Sequence, residues 1–85
     1  MTITVLFFAS LRESLGIGRE QISLPEGVTT AGQLRAYLRT RGPAWAGALG
    51  EGRALRVAVN QVMADDSALL APGAEVAFFP PVTGG

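Results

Sequence analysis

Gly84 and Gly85 end the sequence on a bare α-carboxylate with no side chain beside it. A terminal glycine has no Cβ to shield its carbonyl carbon from attack, and two in succession thread a narrow channel that a bulkier residue blocks. Such an end suits a carboxylate that is itself a reagent. The competing reading is a frayed terminus: with 11 glycines in 85 residues, chance places two at the end roughly 2% of the time. The pair is suggestive, and the residues before it must carry the rest.

Those residues form a strand and then a stiff spacer. Glu75-Val76-Ala77-Phe78-Phe79 reads as a strand, and Pro80-Pro81 ends it, because proline cannot donate to a sheet ladder and keeps the preceding residue extended. Two prolines favour a polyproline-type extension, and Val82 to Gly85 add roughly 13 Å of reach when extended. The alternative is a proline pair that only terminates an edge. A domain spanning residues 1–81 with a flexible tail over 82–85 is therefore expected.

Composition excludes most other chemistry. Eighty-five residues, 48% hydrophobic and 16% charged, make one small domain. No apolar run reaches membrane-spanning length and the N-terminal stretch has no basic region of a signal peptide, so a cytoplasmic chain is expected, with no membrane partner. Seven basic residues balance seven acidic ones and are scattered, which argues against nucleic acid as a partner. The absence of His and Cys removes the usual general base, thiol nucleophile and soft metal ligands, and no metal site is expected. All seven basic side chains are arginine, so there is no ε-amine for Schiff-base or isopeptide chemistry. Asp65-Asp66 is the only adjacent carboxylate pair, and its place before Ser67-Ala68-Leu69-Leu70 reads as the cap of a short helical turn rather than a metal or acid–base site. Gly16-Ile17-Gly18 lacks a third glycine and a following helix, which makes it a turn and not a phosphate cradle.

The elements that position the tail follow from periodicity. Thr2 to Ser10 alternates as a strand with Ile3, Val5, Phe7 and Ala9 on one face and Thr2, Thr4, Leu6 and Phe8 on the other. A short helical turn over Leu11 to Gly16 and a second strand over Glu20 to Leu24 come next. Thr29-Thr30 supply N-cap residues for a helix carrying Ala31, Leu34, Tyr37 and Leu38 on its apolar stripe, with Arg35 and Arg39 facing water and Gly42-Pro43 stopping it. Trp45 and Leu49 are expected to close one end of the core. Strands at Leu55 to Val59, Val62 to Ala64 and Ala74 to Phe79 complete a ββαβββ order. An α+β sheet with one main helix packed on one face covers those inward stripes economically.

Val5-Leu6-Phe7-Phe8-Ala9 with Arg12-Glu13, then Ala58-Val59-Asn60-Gln61, and above all the string from Glu75 through Phe78-Phe79-Pro80-Pro81-Val82-Thr83-Gly84-Gly85 resemble the small subunits of molybdopterin synthases, which are ubiquitin-like sulfur carriers. The likeness spans the chain, and its tail string is the specific part. It implies a β-grasp fold, a mixed sheet with the first and last strands parallel and adjacent at its centre. It implies further that a ubiquitin-activating-like adenylyltransferase uses ATP and Mg²⁺ to adenylate Gly85, that a sulfur donor protein turns the adenylate into a thiocarboxylate, and that Gly84 is part of this reactive end. By the same resemblance, the chain docks on a synthase large subunit in a heterotetramer of two small and two large subunits, and two thiocarboxylates supply the sulfurs that convert cyclic pyranopterin monophosphate into molybdopterin. The chain would bind no cofactor and act as a non-catalytic sulfur donor. Complete lack of lysine is a departure that the family's motifs do not penalise.

Docking needs a surface, and alternation indicates where it is. If Val76 and Phe78 point inward, Phe79 points outward beside the tail, with Phe8 its expected neighbour and Met63 extending the patch. The opposing reading buries Phe8 or Phe79 under the Leu11–Gly16 turn. Arg12 is either a polar rim contact or a solvated arginine, and Asn60 a turn residue. Pro80, Pro81, Val82 and Thr83 would enter the partner with the tail. Two alternatives remain: the sulfur carrier of thiamine thiazole synthesis, which shares a Gly-Gly end but ordinarily lacks the Phe-Phe-Pro-Pro lead-in, and a ubiquitin-like protein modifier.

Overall fold

The computed structural model describes residues 1–81. Five strands and three helices follow in the order β1 (Thr2–Phe7), α1 (Ser10–Leu15), β2 (Arg19–Ser23), α2 (Ala31–Arg39), α3 (Pro43–Ala48), β3 (Arg56–Val59), β4 (Val62–Ala64) and β5 (Glu75–Phe79). The sheet order is β2-β1-β5-β3-β4. β1 runs parallel to β5 with Phe7 opposite Phe78, while the β1–β2, β3–β5 and β3–β4 pairs are antiparallel. A mixed sheet with helices on one face and parallel first and last strands is the β-grasp arrangement.

Period-two alternation decides which residues line the core. Ile3, Val5 and Phe7 of β1, Ile22 of β2, Val57 of β3 and Val76 and Phe78 of β5 are buried, and they pack against Leu11, Leu34, Leu38 and Leu49 from the helical side. Thr30 caps α2 by accepting from the Gln33 backbone N–H, and the Gln33 side chain accepts from the Thr30 N–H in return. α1 closes on Gly16 at φ 73°, a left-handed position that glycine takes without strain, with its N–H donating to the Arg12 carbonyl.

Four expectations need correction. β1 stops at Phe7, and Ala9 is exposed at φ 54° rather than on the inward stripe, because the chain turns there into α1. α2 stops at Arg39 with Thr40 as its C-cap, short of Gly42-Pro43, and Pro43 instead opens α3, where its missing N–H and fixed φ suit the first helical turn. Arg35 does not face water: it is half-buried, and its Nε donates to the Leu49 carbonyl at 2.8 Å while its terminal nitrogen donates to the carbonyls of Gly50 and Arg53. Residues 67–70 form no helical turn. Asp65 instead accepts from the Ser67 N–H at 2.9 Å and from the Ser67 hydroxyl, a local side-chain turn that holds its carboxyl below the ordinary range.

Candidate functional site

The helices cover one face of the sheet, and residues of the opposite parity form an open face. Cα pairing orders that face into rows. One row runs Arg19, Leu6, Ala77, Ala58 and Met63 across all five strands. The next row toward the end of β5 holds Phe79 opposite Arg56, with Phe8 following Phe7 on the neighbouring strand. The row on the other side holds Gln21, Thr4 and Glu75. An apolar strip of Phe8, Phe79, Leu6, Ala77, Ala58 and Met63 thus leads to the point where Pro80-Pro81 leave the sheet.

Within the strip, Phe8 is 47% and Met63 57% exposed. α1 therefore does not cover Phe8, although it begins only two residues later. Phe79 is half-buried rather than exposed, because strands on both sides flank it; Phe78 beside it is buried. Pro80 and Pro81 are half-buried. Val82, Thr83, Gly84 and Gly85 lie outside the described residues. Arg12 is exposed on α1 with its guanidinium against Gly18, where a Cβ would stand 3.0 Å from Arg12 Nε. Since the Gly18 carbonyl accepts from the Phe7 N–H at 3.0 Å, Arg12 belongs to the same end of the sheet as Phe8 and Phe79.

A stack beneath the strip braces that end. The Phe7 ring lies 6.3 Å from Phe78 and meets Trp45 edge-on at 5.5 Å. Arg41 sits 4.7 Å over the Trp45 ring and grips Glu20 with two 2.7 Å hydrogen bonds. Those bonds hold the Glu20 carboxyl below its ordinary range against an opposing push from partial burial. At the far end of β5 the Asn60 side chain accepts from the Glu75 N–H at 2.9 Å, and Asn60 itself has φ 51°, so it serves the β3–β4 turn. Leu6 and Ala58, which lie in the strings that carry the resemblance, belong to the open face, as do Arg19 and Arg56, which carry no sequence motif. Only strand parity combined with sheet order finds them.

Chemically, this surface offers an apolar contact area beside an extended chain end and no acid–base group within the strip. Comparison with known proteins agrees with that character. The chain is 43% identical to the molybdopterin synthase sulfur carrier subunit of Haemophilus influenzae over 98% of its length and 99% of the relative's. The crystal structure of SAMP1 from Haloferax volcanii is similar to it with a TM-score of 0.80 at 28% identity, covering all of both chains. Subunits 1 and 2 of the molybdopterin-converting factor from Helicobacter pylori have been solved as a protein–protein complex, and the matching chain there has a TM-score of 0.67 at 25% identity, again covering all of both chains. The ThiS family model matches residues 5–85, from the first strand through the terminal glycines. On that match and the near-full-length identity to a curated relative, the chain belongs to the ThiS family.

Proposed function

We propose that the chain is the sulfur carrier subunit of a molybdopterin synthase, with Gly85 as its reactive residue. The observation that carries this reading is the apolar strip of the open face, exposed at Phe8 and Met63, converging on the strand that feeds Pro80-Pro81 and the terminal glycines, in a chain whose relative of nearly equal length bears that name. A free carboxylate is ionised at neutral pH and is a poor electrophile, so activation precedes sulfur transfer. An adenylyltransferase binds ATP and Mg²⁺; the Gly85 carboxylate oxygen attacks the α-phosphorus and pyrophosphate leaves. Hydrosulfide, released by a donor protein, then attacks the acyl carbon, AMP and a proton leave, and a thiocarboxylate remains. The chain contributes the reagent, while the large subunit contributes the acid–base groups, and the work proceeds in the cytoplasm. Phe8, Phe79 and Met63 seat the carrier, Arg12 lies at the rim, and the segment from Pro80 through Gly84 delivers Gly85.

Intact mass after incubation with ATP, the adenylyltransferase and a sulfide source tests the reading. A shift equal to one oxygen replaced by sulfur, confined to the C-terminal peptide, is expected. An unchanged mass, or higher-mass protein adducts in its place, overturns it.

A further inference from the structure

Arg19 and Arg56 stand on the open face on either side of the part of the strip that β1 and β5 carry, Leu6, Phe8, Ala77 and Phe79, and among the described residues neither makes an ion pair. Parity places them there: Ile22 and Val57 are buried on the helical side, so Arg19 and Arg56 take the other. Arg19 lies opposite Leu6 on edge strand β2, and Arg56 opposite Phe79 on β3. Three strand spacings separate β2 from β3, and Arg56 stands one row, or two residues along the strand, from the row of Arg19, so the two Cα positions are roughly 16 Å apart.

Two exposed carboxylates lie at this end, Glu13 one residue beyond Arg12 on α1 and Asp65 just past β4, next in register to Arg56, yet among the described residues neither pairs with Arg19 or Arg56. Glu20 faces the helices and holds Arg41, and Glu51 pairs with Arg39 at 3.5 Å. Glu75 is on the open face, four residues back along β5 from Phe79, a separation of roughly 13 Å. Glu26 follows β2 beyond Ser23, which lies opposite Thr2, toward the same far end. Arg12 against Gly18 adds a third arginine at this end of a chain of formal net charge zero.

A partner that covers the strip must desolvate or match the two guanidinium groups beside it, and matching them also orients the encounter. We propose that the large-subunit surface receiving this face presents two carboxylate positions roughly 16 Å apart, one meeting Arg19 and one meeting Arg56, so that the pair fixes the orientation in which the carrier docks. This rests on the sulfur-carrier reading and specifies the partner's chemistry.

The test measures association with the purified large subunit of a molybdopterin synthase at low salt and at about 0.3 M salt, where the screening length falls well below the separation of the two arginines. The wild-type on-rate is expected to fall about tenfold or more with added salt. The double variant Arg19→Glu/Arg56→Glu is expected to lose about tenfold or more of the low-salt on-rate and to associate faster as salt rises, with Arg19→Gln/Arg56→Gln in between. Circular dichroism checks that both variants remain folded, as the exposure of these positions requires. A salt-independent wild-type on-rate, or a double glutamate variant associating at the wild-type rate, overturns the proposal while leaving the carrier reading intact. A wild-type chain that forms no complex at either salt overturns the docking reading and this proposal with it, whereas the mass experiment judges Gly85 separately.

Discussion

Phe78 and Phe79 are chemically identical neighbours with opposite surroundings. Phe78 is 2% exposed against Phe7, while Phe79 looks outward opposite Arg56. Phe78→Ala is expected to cost about 3–5 kcal/mol of stability through the cavity it leaves. Phe79→Ala is expected to change stability much less and to weaken large-subunit binding by about 2 kcal/mol, as truncation of a central interface aromatic does. Calorimetric melting and titration calorimetry on both variants separate the two; the reverse pattern would mean that the open and covered faces are exchanged. At Gly85 the constraint is reach rather than packing. Deleting Gly85, or appending one residue, should abolish molybdopterin formation with an unchanged melting curve, because the reacting carbon must arrive at a fixed point. Normal product formation by a chain ending at Gly84 would remove Gly85 from the reaction.

At the scale of elements, α2 and α3 are joined by a clamp. Arg35 reaches from the middle of α2 to the carbonyls of Leu49, Gly50 and Arg53, which follow α3 and would otherwise face a partly buried guanidinium without partners. Hydrogen bonds from a charged donor each contribute about 1.5–3 kcal/mol. Arg35→Met keeps much of the aliphatic stem and removes the donors, so it is expected to lower unfolding free energy by about 2 kcal/mol or more, measured by urea denaturation. The open face lies on the other side of the sheet, and large-subunit affinity should hold as long as the variant is folded. An unchanged denaturation midpoint would show that the three carbonyls are equally well served by water.

At the scale of the whole molecule, Glu20, Arg41, Trp45, Phe7 and Phe78 connect an edge strand, the α2–α3 turn, α3 and the two central strands. Glu20 carries the pH dependence of that connection. Its carboxyl is held below the ordinary value, first by the Arg41 hydrogen bonds and then by Arg41's charge. A carboxyl depressed in the folded state contributes stability that is fully present above its unfolded pKa and lost as the pH falls through its lowered folded value. Acid titration of stability should therefore show a decline beginning near the ordinary glutamate range, and Arg41→Gln should flatten it there while lowering stability at neutral pH. Coincident acid limbs for the variant and the wild type would assign the decline to other carboxylates.

Local physics made a large part of this protein legible in its sequence. Alternation in Ile3-Thr4-Val5-Leu6-Phe7 and in Val76-Ala77-Phe78 sorts covered from open faces without reference to anything distant, and Thr29-Thr30 marks the start of α2 within one turn of chain. The Phe-Phe-Pro-Pro run and the terminal glycines point to a chain end with a task. Contacts between distant segments decided the rest. α3 is six residues without a strong apolar period, held by Trp45 against Phe7 and by the Arg35 clamp on the carbonyls that follow it. Arg35 is half-buried against the carbonyls that follow α3, while the half-burial of Phe79 and the placing of Arg19 and Arg56 on either side of Phe8 and Phe79 depend on β5 lying between β1 and β3. That order joins residues some seventy positions apart. Periodicity reports which way a side chain faces along its own strand, but which strands stand beside it is settled only when the whole core is buried at once.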